Sequence, residues 1–174
     1  MKPYPFRSEH AQAEYTALYK ARSRLWPVPS ETRFVETSTG KTFVHLSGNP
    51  ANPPLVLLPG SRSNSLQWIP NIAALSGHYR TYALDCIYDI GLSAASRKVT
   101  NRDDLVNWLC EVLAVLVPGG GLRLIGNSYG GWLAGQYALR FPEQLQKLVL
   151  ISPAATILPV SVPFLLRAFS LLLP

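Results

Sequence analysis

The stretch RLIGNSYGGWLAG, from Arg123 to Gly135, passes from one apolar run through a glycine-flanked serine into a second apolar run. The first run has the length of a short buried strand, and the second has the apolar spacing of a helix. Between them GNSYG (126–130) fits the pattern G-x-S-x-G, in which a serine occupies a tight turn from a strand to a helix. The stretch therefore predicts Ser128 as a nucleophile.

The residues around Ser128 have a geometric explanation. A sharp turn strains the serine backbone and lifts its hydroxyl clear of the sheet. Side chains at Gly126 and Gly130 would collide with the neighbouring strand and helix, and Gly131 relieves the same crowding. The helix that follows directs its N-terminus at the serine, which favours negative charge there. The alternative is a glycine-rich turn that carries an inert serine.

Strand-like apolar runs alternate with helical patterns along most of the chain. This alternation is typical of right-handed crossovers between parallel strands. We expect a three-layer α/β sandwich, with helices on both faces of a mostly parallel sheet. A hairpin is predicted at 33–48 (RFVETSTGKTFVHLSG). The other predicted elements are helices over 8–25, 65–76, 102–117 and 129–141, and strands over 55–58, 80–85, 122–125 and 147–152.

Composition excludes several classes of function. The 174 residues are 48% hydrophobic and 15% charged, which is typical of an ordered globular domain rather than a disordered chain. The net charge is +6, but the basic residues are scattered and form no run of five or more, so we expect no nucleic-acid partner. Cys86 and Cys110 lack metal-ligand spacing and are expected to be free thiols.

Neither end of the chain has the pattern of a membrane segment. The first ten residues, MKPYPFRSEH, contain no apolar stretch after their charges, so no signal peptide is readable and we expect a cytoplasmic protein. The last 21 residues (154–174) are very apolar, but Pro159, Pro163 and Arg167 interrupt them. We therefore interpret this tail as the start of a cap or lid. A membrane-peripheral protein, held by the tail and the basic surface, is a weaker alternative.

Residues from about 31 to 174 resemble the N-terminal half of an α/β-hydrolase, in particular its bacterial carboxylesterase-like branch. The likeness rests on the 33–48 block, on LVLLPGSRSNSLQWIPNIAALSGHYRTYALD (55–85), on GLRLIGNSYGGWLAGQYALRFPEQLQKLVLISPAA (121–155) and on the spacing between them. The resemblance implies the α/β-hydrolase fold, truncated at its C-terminal end after six of eight strands. It divides the chain into an N-terminal helical extension (1–30), a partial core (31–153) and the cap segment (154–174).

The resemblance also implies two oxyanion donors. The loop after the third strand usually reads His-Gly-x in this family, and the backbone N–H of x helps to hold the oxyanion. Here the loop reads Pro59-Gly60-Ser61, so the donors would be the backbone N–H groups of Ser61 and Tyr129. By the same resemblance Asp85 would anchor a loop. It begins a stretch that is one residue longer than the family's D-x-x-G-x-G-x-S pattern and has lost one of its glycines.

The rest of a catalytic triad is not readable. In this fold an acid and then a histidine follow the serine, whereas here only Glu143 follows as an acid, and no histidine does. His10 lies in the N-terminal helix, His45 lies mid-strand, and His78 precedes a strand at the edge away from Ser128. All three are expected to have surface or packing roles. KLVLIS (147–152) would be an exposed apolar edge strand, so self-association through this strand and the tail is expected.

Two functions from different classes remain open. The first is a serine hydrolase that acts on carboxylic esters or related acyl bonds of small molecules, impaired or inactive in this chain because the acid and the histidine are missing. The second is a non-catalytic binding or interaction domain that keeps the hydrolase scaffold. No metal or organic cofactor is expected, because the sequence contains no cluster of ligating residues and the glycine turn carries serine where a phosphate cradle needs lysine.

Overall fold

The structure, a computed structural model, describes residues 6–156, 159 and 161–170. Its helices are α1 (Glu9–Ser23), α2 (Ile69–Ser76), α3 (Arg102–Leu116), α4 (Tyr129–Arg140) and α5 (Val162–Ser170). Its strands are β1 (Ser30–Thr37), β2 (Gly40–Ser47), β3 (Pro54–Leu58), β4 (Arg80–Leu84), β5 (Ala94–Ala95), β6 (Leu122–Asn127) and β7 (Leu145–Ile151). Two short 3-10 helices cover Ser65–Trp68 and Pro142–Gln144.

All seven strands belong to one mixed sheet. The order is β1-β2-β4-β3-β6-β7, and β5 adds a short antiparallel pair to β2. The β3, β4, β6 and β7 strands are parallel, whereas β2 runs antiparallel to both of its long neighbours. Leu58 at the end of β3 is in register with Gly126 near the end of β6. The loops that follow these two strands therefore leave the sheet side by side, and this is the edge that positions the site.

Helices cover both faces of the sheet, as predicted. One core cluster joins α3 and α4 to the sheet and contains the fully buried Trp108 and Tyr137. The second lies on the other face, where α2 and Trp26 pack against β3 and β4 through Ile72 and Leu57. Continuous apolar strands such as PLVLL are explained by this double coverage. The predicted three-layer α/β sandwich is confirmed.

The element boundaries differ from the predictions in a few places. The predicted helix 65–76 is divided into the 3-10 helix and α2, because the ring of Pro70 clashes with the carbonyl four residues earlier in a continuous α-helix. The predicted helix 8–25 ends at Ser23. Strand β5 has two residues and carries no periodicity, so no sequence pattern predicted it. Parts of the predicted cap segment, at 157, 158, 160 and 171–174, lie outside the described residues.

The described part of the tail contains helix α5, which has exposed apolar side chains. In α5 the side chains of Val162, Phe164 and Leu166 are each more than half exposed. Across the described residues, no helix has both the length and the apolar character needed to cross a membrane.

Candidate active site

Ser128 occupies the turn between β6 and α4 in a conformation that L-residues rarely adopt. Its φ is 51° and its ψ is −113°. Such a backbone costs about 1–3 kcal/mol and persists only where the surroundings enforce it. Here the Ser128 amide donates to the Ile151 carbonyl at 2.9 Å, and the Ser128 carbonyl accepts from the Ala154 and Trp132 amides at 3.0 Å each. Hydrogen bonds from β7 and α4 therefore hold the strained turn from both sides.

The glycines of the motif are required by close backbone contacts. A Cβ atom on Gly126 would lie 2.2 Å from the Gly130 carbonyl oxygen. A Cβ atom on Gly130 would lie 2.5 Å from the Pro59 carbonyl oxygen, and one on Gly131 would lie 3.0 Å from the Gly126 carbonyl oxygen. The collisions expected from the sequence are thus present. Because these glycines lack side chains, helix α4 can begin close to both β6 and the loop after β3.

The Ser128 side chain is partly exposed at this turn. The residue is half-buried, and within the part of the chain that the structure describes its Oγ atom has no hydrogen-bond partner. The N-terminus of the 12-residue helix α4 lies directly behind it. That end of a helix carries a partial positive charge, which favours a developing oxyanion or alkoxide.

The loop after β3 passes beside the serine. A Cβ atom on Gly60 would lie 3.4 Å from Ser128 Cβ and 3.3 Å from Asn127 Nδ2, so the loop passes in close contact with both side chains. The Gly130 amide donates to the Pro59 carbonyl at 3.1 Å and ties this loop to α4. Ser61 follows Gly60, and its amide donates to no acceptor among the described residues. Tyr129 is the first residue of α4, so its amide lies at the positive end of that helix.

Asp85 is an anchor for the loops at this edge, as the resemblance implied. It is fully buried at the end of β4, and its carboxylate accepts from the Ser65 amide at 2.8 Å and the Leu92 amide at 2.7 Å. Burial raises the pKa of Asp85, and these two amides offset part of that rise. The missing glycine of the family pattern falls at Tyr88, which has a positive φ of 62°. Tyr88 therefore has a backbone conformation that glycine adopts more readily than tyrosine.

The structure places none of the three histidines at Ser128. His10 is exposed in α1, with its Nε2 atom 3.4 Å from Glu14 Oε1. His45 is buried in β2, stacked on Trp26 with ring centroids 4.4 Å apart. His78 is exposed just before β4, at the sheet edge opposite the carboxyl ends of the parallel strands. A strand of five residues spans roughly 17 Å, so His78 is far out of reach.

Glu143 does not lie at the site either. It is exposed in the 3-10 helix that follows α4, at the far end of that helix from Ser128. A cavity of about 500 Å³ lies at the other end of the sheet and is lined by residues such as Val28, Pro50 and Arg80. Among the described residues, no group of three or more His, Cys, Asp or Glu side chains could hold a metal ion.

Sequence reasoning missed the residues that support the loop beside Ser128. Gln67 accepts from the Gly60 amide at 2.9 Å, and Asp89 accepts from the Arg62 amide at 2.9 and 3.0 Å. Tyr15 and Tyr19 of α1 also contact the end of this loop. The lost glycine in the stretch after Asp85 was the only sequence signal near Asp89. The sequence predicted the helix itself, but no pattern placed α1 beside this loop.

The fold and this turn define an α/β-hydrolase architecture, and comparison with known proteins shows the family. A family model described as the alpha/beta hydrolase family matches residues 55–174, which is more than half of the chain. The chain therefore belongs to the alpha/beta hydrolase family.

Two curated relatives and one solved structure show which members of the family this chain is similar to. The chain is 39% identical over 148 residues to the uncharacterized carboxylesterase nap of Bacillus subtilis strain 168, covering 83% of this chain and 48% of that protein. It is 38% identical over 152 residues to the carboxylesterase YbfK of the same strain, covering 86% and 50%. A crystal structure of naproxen esterase (carboxylesterase NP) from Bacillus subtilis matches with a TM-score of 0.90 at 36% identity, covering 98% of this chain and 59% of that one. The chain thus spans about half the length of the curated relatives it matches.

Proposed function

We propose that this chain supplies the nucleophile and the oxyanion hole of a serine hydrolase that acts on carboxylic esters. The observation that carries the proposal is the strained Ser128 turn, whose half-buried hydroxyl lies beside Gly60 and the N-terminus of α4. The two Bacillus subtilis relatives described as carboxylesterases support the ester as the substrate class. Related acyl bonds of small molecules belong to the same chemistry.

In the proposed mechanism, the Ser128 Oγ atom attacks the carbonyl carbon of the ester. The carbonyl oxygen becomes an oxyanion, which accepts hydrogen bonds from the Ser61 and Tyr129 amides. Collapse of this intermediate expels the alcohol and leaves an acyl group on Ser128. Water then attacks the acyl group, and the carboxylic acid is released.

The first step requires a base that takes the Ser128 proton. A serine hydroxyl is a weak nucleophile without such a base. Since His10, His45 and His78 lie away from Ser128, none of them fills this role. We therefore propose that the 174-residue chain by itself turns esters over slowly or not at all.

Covalent labelling tests the nucleophile. We expect a fluorophosphonate probe to modify Ser128 over hours rather than minutes, with the site identified by peptide mass spectrometry. Ser128→Ala should remove the label, whereas Ser152→Ala, at another serine with a positive φ of 44°, should retain it. Rapid labelling of the wild-type chain would contradict the proposed lack of a base. Labelling elsewhere with an unmodified Ser128 would contradict the nucleophile itself.

Two substitutions at Ser61 test the oxyanion donor. Ser61→Pro removes the backbone N–H, and no hydrogen bond within the described residues is lost with it. Ser61→Ala keeps the N–H and removes only an exposed hydroxyl. We expect the proline variant to slow Ser128 labelling about 100-fold, and the alanine variant to label like wild type. Equal rates in both variants would remove Ser61 from the proposed site.

A non-catalytic interaction domain that keeps the hydrolase scaffold is the second candidate, favoured by the positions of His10, His45, His78 and Glu143 away from Ser128. It would be supported if Ser128→Ala left every measurable property of the protein unchanged. Cys86 and Cys110 are both free thiols. This supports the further proposal of a reducing compartment, such as the cytoplasm, as the site of action.

A further inference from the structure

The loop between β3 and the first 3-10 helix (residues 59–64), here called the oxyanion loop, is held by acceptors on both sides. The Gly60 amide donates to Gln67, and the Arg62 amide donates to both oxygens of Asp89. Arg62 has a positive φ of 56°, so this part of the loop is strained. The loop depends on these partners because it contains no regular secondary structure of its own.

Helix α1 supplies a further set of contacts to the end of this loop. Tyr19 Oη lies 2.8 Å from Ser65 Oγ and donates to Asp85 Oδ1 at 3.2 Å. Tyr15 Oη accepts from Asn64 Nδ2 at 2.8 Å. The two tyrosines are four residues apart and therefore share one face of α1. Through these hydroxyls α1 contacts the two residues at which the oxyanion loop joins the 3-10 helix.

The hydroxyl groups of Tyr19 and Tyr15 form hydrogen bonds that packing of the aromatic rings alone would not require. The Tyr19 ring packs edge-on against Phe43 at 5.8 Å between centroids, an apolar contact that phenylalanine could also make. The Tyr19 side chain is nevertheless 3% exposed with its oxygen between Ser65 and the buried Asp85. Burial raises the pKa of Tyr15 to about 12 and that of Tyr19 further, so both hydroxyls retain their protons near neutral pH.

The contacts form a continuous path to the site. Ser65 and Asn64 begin the 3-10 helix, Gln67 in the same helix accepts from Gly60, and Gly60 lies against Ser128. We propose that α1 is a clamp on the oxyanion loop, in which Tyr19 and Tyr15 are positioning residues that keep the Ser61 amide directed at Ser128. This inference rests on the proposed function, since it assigns a purpose to the same oxyanion donor.

The test compares tyrosine hydroxyls that differ in location. Tyr19→Phe and Tyr15→Phe remove the hydroxyls that contact the loop region. Tyr137→Phe is the matched control, because it removes a hydroxyl bonded to Gln144 at the far end of α4. The rate of Ser128 phosphonylation, the resonance of the Ser61 amide in ¹⁵N spectra and hydrogen exchange at residues 60–65 are measured for each variant, together with the melting temperature.

We expect Tyr19→Phe to shift the Ser61 amide resonance, to speed exchange at 60–65 and to slow phosphonylation about 10-fold, since small misplacements of catalytic groups cost up to about 100-fold. Tyr15→Phe, at a less buried position, should act in the same direction with a smaller effect. Tyr137→Phe should lower the melting temperature and leave the loop signals and the labelling rate as in wild type.

The outcomes separate the clamp from the proposed function. If Tyr19→Phe and Tyr15→Phe affect only the melting temperature, as the control does, α1 is structural and the clamp is refuted. A change in the loop amides with an unaltered labelling rate also refutes it, because positioning of the donor would then have no chemical effect. If wild-type Ser128 is never labelled, the proposed function fails, and an unshifted Ser61 amide in both variants would show that the clamp fails with it. A shifted amide in that case supports α1 as a restraint on the loop, while the catalytic purpose assigned to that restraint fails with the proposed function.

Discussion

The backbone conformation of Ser128 and the close packing of the glycines around it depend on each other. Hydrogen bonds with Ile151, Ala154 and Trp132 hold the serine in its strained backbone conformation, and α4 can approach because Gly126 and Gly130 lack side chains. A change at either glycine therefore acts on the loop beside Ser128 as well as on stability. This coupling distinguishes Gly126 and Gly130 from Gly135, which lies farther along α4.

The first prediction contrasts two glycines in α4. In Gly130→Ala the new Cβ would lie 2.5 Å from the Pro59 carbonyl oxygen, so we expect a loss of about 3 kcal/mol in the free energy of unfolding. In Gly135→Ala the new Cβ would have only an ordinary contact at 3.7 Å with Thr156, and we expect a gain of up to about 1 kcal/mol from helix propensity. Urea denaturation of both variants measures the difference. Equal stabilities would show that the tight approach is absent in solution.

The second prediction uses a cysteine thiol at position 128 to measure the electrostatic effect of the α4 N-terminus. In Ser128→Cys the N-terminus of α4 should lower the pKa of the new thiol below its usual value of about 8.5. The native Cys110 behaves oppositely, because burial raises the pKa of its thiol. The rate of iodoacetamide modification at each cysteine, followed against pH by mass spectrometry, gives both midpoints. A midpoint at or above 8.5 for residue 128 would contradict a stabilising field at this turn.

The β1–β2 hairpin contains a buried titratable group with no charge partner. His45 in β2 is stacked on Trp26, meets Phe43 edge-on at 5.4 Å between ring centroids, and has an Nδ1 atom without a hydrogen-bond partner among the described residues. Burial lowers the pKa of His45 from 6.5 to about 4. The hairpin therefore requires the neutral imidazole.

The third prediction follows from that preference. As the pH falls below 6.5, His45 binds a proton in the unfolded chain but stays neutral in the folded chain. The contribution of His45 to the free energy of unfolding is therefore fully present above pH 6.5 and is lost between pH 6.5 and about 4. We expect His45 to contribute a loss of about 3 kcal/mol over this window. His45→Phe should remove that part of the pH dependence, whereas His78→Phe, at an exposed position, should keep it. Urea titrations at pH 7 and pH 4.5 give the comparison, in which carboxyl groups common to all variants cancel. An unchanged pH dependence in His45→Phe would refute the assignment.

The elements themselves were predictable because they depend on local periodicity. The alternation of apolar runs predicted the helices on both faces and the parallel strands, and the glycines around Ser128 predicted the turn. The support of the oxyanion loop was not predictable. The hydrogen bonds from Tyr19 to Ser65 and Asp85 join residues 46 and 66 positions apart, and no periodic pattern encodes such a pairing. Asp89 and Gln67 bind backbone amides, which leave no trace in the side-chain sequence.

Strand β7 gives the sheet an open edge within the described residues. It pairs with β6 on one side, and its side chains Leu148, Val149 and Ile151 are 36–47% exposed. The amphipathic helix α5 adds exposed apolar side chains nearby in sequence. An exposed, apolar edge strand is a template for pairing with another strand. Self-association of this chain through the exposed edge of β7 and the apolar side chains of α5 therefore remains a proposal.

The fourth prediction tests that surface with a charge placed on the edge. In Val149→Lys a lysine would stand in the middle of β7, where it opposes edge-to-edge pairing. Val115→Lys is the matched control, since Val115 is similarly exposed, at 55%, on helix α3. We expect sedimentation velocity to show concentration-dependent association of the wild-type chain and of the α3 variant, with a shift of at least 10-fold toward monomer in the β7 variant. Because both variants gain the same charge, a general effect of net charge would shift them equally. A monodisperse wild-type monomer at all concentrations would instead show that the exposed edge is blunted, and the single native lysine in β7, Lys147, would be the residue to examine as the cause.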